Sequence, residues 1–141
     1  MSRYISQEIR LLVAERADFR CEYCLIHEDD SYLSFQIDHI ISIKHGGDDN
    51  LDNLAHSCVS CNRAKGSDIG SVLLPDRDFI RLFNPRTDTW GNHFKVLGAE
   101  IIPLSAVGRV TTKILGLNNE LRLVEREALI EIGRFPAKND Q

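Results

Sequence analysis

Two Cys-x2-Cys pairs, Cys21/Cys24 and Cys58/Cys61, constrain this chain more than any other feature, because thiols at that spacing converge on one point. Four thiolates form the tetrahedral sulfur set that a structural Zn2+ prefers, and a metal held by four of them has no open position for catalysis. The alternatives are four unrelated buried thiols or a redox pair, and neither pair sits in the strand–helix–strand pattern of a thioredoxin-like site. The pairs are 33 residues apart (25–57), more than a simple zinc ribbon needs, so the excess reads as a functional insert.

Within that insert lies Ile37-Asp38-His39-Ile40-Ile41, an acid and an imidazole side by side in an apolar run. Strands of this kind normally exclude charge, so the pair calls for a chemical reason. Phosphodiester hydrolysis supplies one, since it needs a base to activate water and a cation to offset charge. Asp38 offers a hard carboxylate oxygen and Asn62 an amide oxygen, a set that suits Mg2+ or Mn2+ better than zinc. His39 is the general-base candidate, histidine having an ordinary pKa of about 6.5. Neighbours on a strand point to opposite faces, so Asp38 and His39 have different jobs.

Cys21-Glu22-Tyr23-Cys24, Asp38-His39-Ile40-Ile41, Gly46-Gly47, Asn53-Leu54, Cys58-Val59-Ser60-Cys61-Asn62 and Lys65-Gly66 together resemble the HNH endonuclease family. The resemblance is to the subtype with a four-cysteine zinc clip around a ββα-metal (His-Me finger) site. It implies that His39 is the base, that Asp38 and Asn62 bind one catalytic metal, and that Asn53 orients the loop carrying the base. The last position is often His in that family; Asn here, as in the nuclease domains of RNA-guided enzymes, shifts metal preference away from Zn2+ and Ni2+. A second stretch, Leu82-Phe83-Asn84-Pro85-Arg86 through Trp90 and His93-Phe94, resembles a C-terminal extension of some bacterial HNH proteins. Each site residue also has a plainer reading. Asn53 can be a turn residue and Asn62 an ordinary helix residue. Lys65, with Arg63 beside it, can meet a DNA phosphate or simply be solvated. His56 can approach the catalytic metal, although a structural or supporting role is favoured. Trp90 and Phe94 read as core rather than as a base-stacking platform.

The expected architecture is α+β: an HNH core over residues 1–70 and a C-terminal α/β extension over 71–141 that packs on it. Ser6 caps a helix over 7–18 whose buried face carries Ile9, Leu12, Val13 and Ala17. Residues 34–43 have strand character on both sides of the Asp-His pair and close at Gly46-Gly47. Residues 50–55 read as irregular, and a helix runs from Cys58 to Lys65 with Gly66 as its stop. Beyond Gly70 comes a surface-wrapping segment, then a hairpin over about 94–104. Helices over about 106–115 and 120–132 are capped by Ser105 and Asn119, and the tail from Pro136 is frayed.

The N-terminus has no apolar export signal and no run is long enough to span a membrane, so the expected setting is the cytoplasm. The net charge of −4 argues mildly against a nucleic-acid partner. Acids at 28–30, 48, 49 and 52 surround the central hairpin, however, while Arg63, Lys65, Arg77, Arg81 and Arg86 follow it, and local basic patches bind phosphate on acidic proteins. The sequence therefore points to a DNA-cleaving, metal-dependent HNH endonuclease with one structural Zn2+ and one catalytic Mg2+ or Mn2+. The rival is a catalytically inactive, zinc-stabilised nucleic-acid-binding module. A purely structural zinc domain leaves Asp38, His39 and Asn62 unexplained. Oligomeric state is not legible.

Overall fold

A computed structural model describes residues 4–136, so the tail from residue 137 lies outside the described residues. Helix α1 (Gln7–Arg16) starts where Ser6 Oγ accepts the Ile9 N–H at 3.2 Å. Its buried residues are Val13 and Ala14, and Leu12 faces solvent. The inward face is therefore rotated from the expected one, and the helix packs mainly on one strand of the core hairpin. Arg16, from the polar side, secures the contact by donating to the carbonyls of Leu51 and Leu54.

Strand β1 is short, Gln36–His39, and its antiparallel partner β2 is Leu54–Ser57, with Asp38 opposite Ala55 and His39 opposite Leu54. The expected strand over 34–43 thus stops at His39, and its partner begins within the 50–55 segment that read as irregular. The physical reason is Asn53. Its side chain accepts the Ile41 N–H at 2.8 Å and donates to the Ile41 carbonyl at 3.0 Å, taking the place of a ladder partner. Strand β2 was hidden because all four of its residues are buried, so no polar–apolar alternation betrays it. Helix α2 (Val59–Lys65) follows at once, capped by Cys58 and ended by Gly66 at a positive φ of 53°.

Strands β3 (Gly70–Val72) and β4 (Phe79–Arg81) form a hairpin where a wrapping segment was expected. These strands are only three residues long, too short to show a period. A one-turn helix α3 (Trp90–His93) leads into the hairpin of β5 (Phe94–Leu97) and β6 (Glu100–Pro103). Helix α4 (Ala106–Leu115) is capped by Ser105, whose hydroxyl accepts the Gly108 N–H. Helix α5 (Glu120–Glu131) begins after Asn119, whose side chain makes no capping bond.

A single apolar cluster runs through both halves, joining Tyr23, Ile40 and Ala55 to Phe83, Phe94, Val110, Leu115 and Leu117. The Asn84-Pro85-Arg86 to Trp90 stretch clamps the first cysteine knuckle. Arg86 pairs with Glu22, and Trp90 Nε1 donates to the Tyr23 carbonyl at 3.0 Å. Trp90 and Phe94 accordingly serve packing, with ring centroids 5.0 Å apart. Among the described residues no helix is long and apolar enough to cross a membrane.

Candidate functional site

The four cysteines converge. All are buried, and their Sγ atoms lie within 4.8 Å of one another. Cys24 and Cys58 Sγ are 3.8 Å apart, the edge length of a tetrahedron with Zn–S bonds of about 2.3 Å. In each knuckle the backbone N–H of the second cysteine donates to the sulfur of the first, Cys24 to Cys21 at 3.5 Å and Cys61 to Cys58 at 3.3 Å. Burial holds the Cys21 and Cys61 thiols well above their usual range, so four thiolates coexist here only around a divalent cation. The donor set therefore fits a structural zinc-type site. One contributor escaped sequence reading: Arg122, on α5, donates to Cys61 Sγ at 3.0 Å. Burial opposes its charge, but the Cys61 and Cys24 sulfurs outweigh that cost and raise its pKa. No motif links a residue of α5 to a knuckle sixty positions earlier.

Asp38 and His39 part company at the end of β1, as strand alternation requires. Asp38 is buried, with Tyr23 Oη donating to its Oδ2 at 2.5 Å and Lys65 Nζ to its Oδ1 at 3.1 Å. Burial raises its pKa, and Lys65 and then Tyr23 pull it back only in part. Lys65 is 1% exposed and also donates to the carbonyls of His39 and Ile40, at 3.0 and 3.2 Å. This corrects both expectations for Lys65. It neither meets a phosphate nor lies in solvent, because the last turn of α2 carries it under β1. The signal in the sequence was its place one helical turn beyond Cys61, on the buried face.

His39 faces the other way, and its Nε2 lies 2.8 Å from Asp49 Oδ1. Asp49 read only as one of several loop acids. Asn53, 8% exposed, bonds to Ile41 and also donates to the Asp48 carbonyl at 2.8 Å, closing the loop between β1 and β2. Gly47 makes that closure possible, since a Cβ there would stand 1.6 Å from the Ile41 carbonyl oxygen.

Asn62, on α2, donates to Gln36 Oε1 at 2.6 Å. With Asp38, His39, Ser42, Lys44 and Ser67 it borders one open cleft of about 290 Å³ at the end of the hairpin. Arg63 is exposed but borders a different cavity, of about 700 Å³, between α2 and α5. His56 is away from the cleft: its Nε2 lies 2.9 Å from Glu28 Oε1 and its ring packs on Phe35. Burial lowers its pKa against the opposing pull of Glu28.

Two strands, a stapled loop and a helix over a four-cysteine clip define a small module with a structural zinc-type site. Residues 21–68 match the family model described as HNH endonuclease, and this segment is an HNH domain. The chain is also similar to the Septu protein PtuB of Bacillus thuringiensis, 28% identical over 124 residues. That match covers 86% of this chain and 46% of the relative, so the chain spans about half its length. No solved structure matches.

Proposed function

We propose that this chain is a metal-dependent endonuclease that hydrolyses DNA phosphodiester bonds. The observation that carries the reading is that Asp38 and His39, at the end of β1, and Asn62, on α2, border one cleft. His39 acts as the base that takes a proton from the attacking water. Asp38 and Asn62 would hold one Mg2+ or Mn2+, which when bound offsets charge on the phosphate and leaving oxygen. Two protein oxygens suit such an ion, because Mg2+ keeps several waters and takes further oxygens from phosphate. Each Asp38 oxygen keeps a second lone pair beyond its present bond, and Asn62 Oδ1 is spare while its Nδ2 is held by Gln36. Asn53 holds the loop that faces the base. Cleavage leaves a 5′-phosphate and a 3′-hydroxyl, and the setting is cytoplasmic, where reduced thiols favour zinc.

One observation favours a second reading, an inactive nucleic-acid-binding module. Lys65 already neutralises Asp38 in the absence of any added cation. Plasmid nicking by the zinc-loaded chain with Mg2+ or Mn2+ separates the two. Wild type should nick, and His39→Ala should lose roughly 100- to 10,000-fold in rate while staying folded. A folded wild type that nicks no form of DNA would establish the binding module, and undiminished cleavage by His39→Ala would remove the base assignment.

A further inference from the structure

We propose that Asp49 is a positioning residue, holding the His39 ring so that Nε2 carries the proton and Nδ1 is the acceptor. The inference rests on the reading of His39 as the base. A carboxylate has no proton to donate at neutral pH, so across the 2.8 Å contact it is His39 Nε2–H that donates to Asp49 Oδ1. That fixes the tautomer and leaves one ring nitrogen, Nδ1, to take a proton from water. A carboxylate behind an imidazole plays the same part in hydrolytic triads, where it orients the ring and steadies the cation that forms.

The chain is built to return Asp49 to His39 after ten residues. Gly46 turns the loop at a φ of +88°, and the Gly47 N–H donates to the Ser42 carbonyl at 3.0 Å. Ser42 Oγ in turn donates to the Ser67 carbonyl at 2.9 Å, fastening the loop to the end of α2. Gly47 then passes so close to Ile41 that no side chain fits. Asp48 closes an Asx turn on Asn50 at 3.1 Å, and its carbonyl is held by Asn53 Nδ2. Every one of these bonds fixes backbone on one or the other side of Asp49. Asn53 thus acts on the base through Asp49, which gives the family's loop-orienting residue a specific lever in this chain. The backbone of His39 is held as well, since Lys65 Nζ donates to its carbonyl at 3.0 Å.

The test uses the full zinc-loaded chain with 15N-labelled histidine. Without added Mg2+, wild type should show a downfield, slowly exchanging Nε2–H proton on His39, and Asp49→Ala should lack it. With Mg2+ and a defined DNA duplex, Asp49→Ala should lower kcat roughly 10- to 100-fold, as removal of a partner that orients a functional His does. KM for DNA and the Mg2+ concentration for half-activity should not change. Asp49→Asn keeps an acceptor oxygen and should fall between the two. The proposal is overturned if the proton persists in Asp49→Ala or if kcat stays within about twofold of wild type. It is equally overturned if the loss lies in the Mg2+ requirement, which would make Asp49 a ligand. Full activity in His39→Ala would sink the base assignment instead, and in a chain with no cleavage the Nε2–H proton alone decides.

Discussion

Replacing Lys65 by Met keeps the length of the side chain but leaves Asp38 as a buried carboxylate facing one tyrosine hydroxyl. The Lys65–Asp38 pair is 3.1 Å apart with side chains 1% and 3% exposed, so solvent screens it little. At an effective dielectric of about 20 the attraction across that distance is about 5 kcal/mol, much of it opposed by desolvation. Losing one member of a buried pair costs about 3–5 kcal/mol, because the other charge stays buried without compensation. The carbonyls of His39 and Ile40 lose a donor at the same time. For a domain of this size the expected fall in Tm is roughly 10–15 °C, read by thermal unfolding of the zinc-loaded protein without Mg2+. In an Asp38→Asn background the same substitution should cost about 2–3 kcal/mol less. The pH dependence has a definite sign. Burial raises the Asp38 pKa, so the folded state holds that proton more tightly than the unfolded state, and stability falls as pH rises through the raised value. Losing Lys65 removes the strongest opposing influence, so the deficit should grow as pH rises above the ordinary carboxylate range. A Lys65→Met protein within about 1 kcal/mol of wild type at neutral pH would refute the claim that the ammonium holds the end of β1.

Three further substitutions probe separate supports. Gly47→Ala places a Cβ 1.6 Å from the Ile41 carbonyl oxygen, so the β1–β2 loop should open. Nicking should fall by roughly tenfold or more while zinc content stays at about one per chain. Arg122→Gln removes the donor to Cys61 Sγ, and a chromogenic chelator should extract zinc several-fold faster than from wild type. His56 has a pKa held below its ordinary 6.5 by burial, so the unfolded chain binds the proton more readily and stability falls as pH drops below that value. His56→Gln should flatten that slope in Tm measured between about pH 5.5 and 7.5.

What the sequence made legible was whatever short spacing dictates. The knuckles, Ser6 and Ser105 as caps, Gly66 as a stop and the 94–103 hairpin all depend on neighbours a few residues apart. What it concealed depends on packing between distant segments. Strand β2 carries no alternation because both its faces are covered, and Leu12 left the buried face of α1, which packs mainly on β2 through Val13 and Ala14. At the proposed site, Asp38, His39 and Asn62 were singled out by chemical type, and all three border one cleft. Tyr23, Asp49 and Arg122 were not, since a tyrosine between cysteines, one acid among several and an arginine on a distant helix have no distinguishing pattern.

Tyr23 and Lys65 make the four-cysteine clip and the cleft one structure. Tyr23 lies inside the first knuckle, its carbonyl held by Trp90 and its hydroxyl on Asp38, so the position of two thiols sets the position of the acid. Lys65 lies at the end of the helix that the second knuckle opens, and it reaches the same acid from the other side. Asp38 is therefore gripped between the two halves of the four-cysteine clip. His39, one residue further on, points out of that grip toward a loop carboxylate. An acid immobilised by the frame next to an imidazole aimed by a separate loop lets loop changes move the His39 ring without disturbing Asp38. Emptying the clip of its metal should, by contrast, disturb both, because the end of β1 and the start of α2 are fastened through the same knuckles.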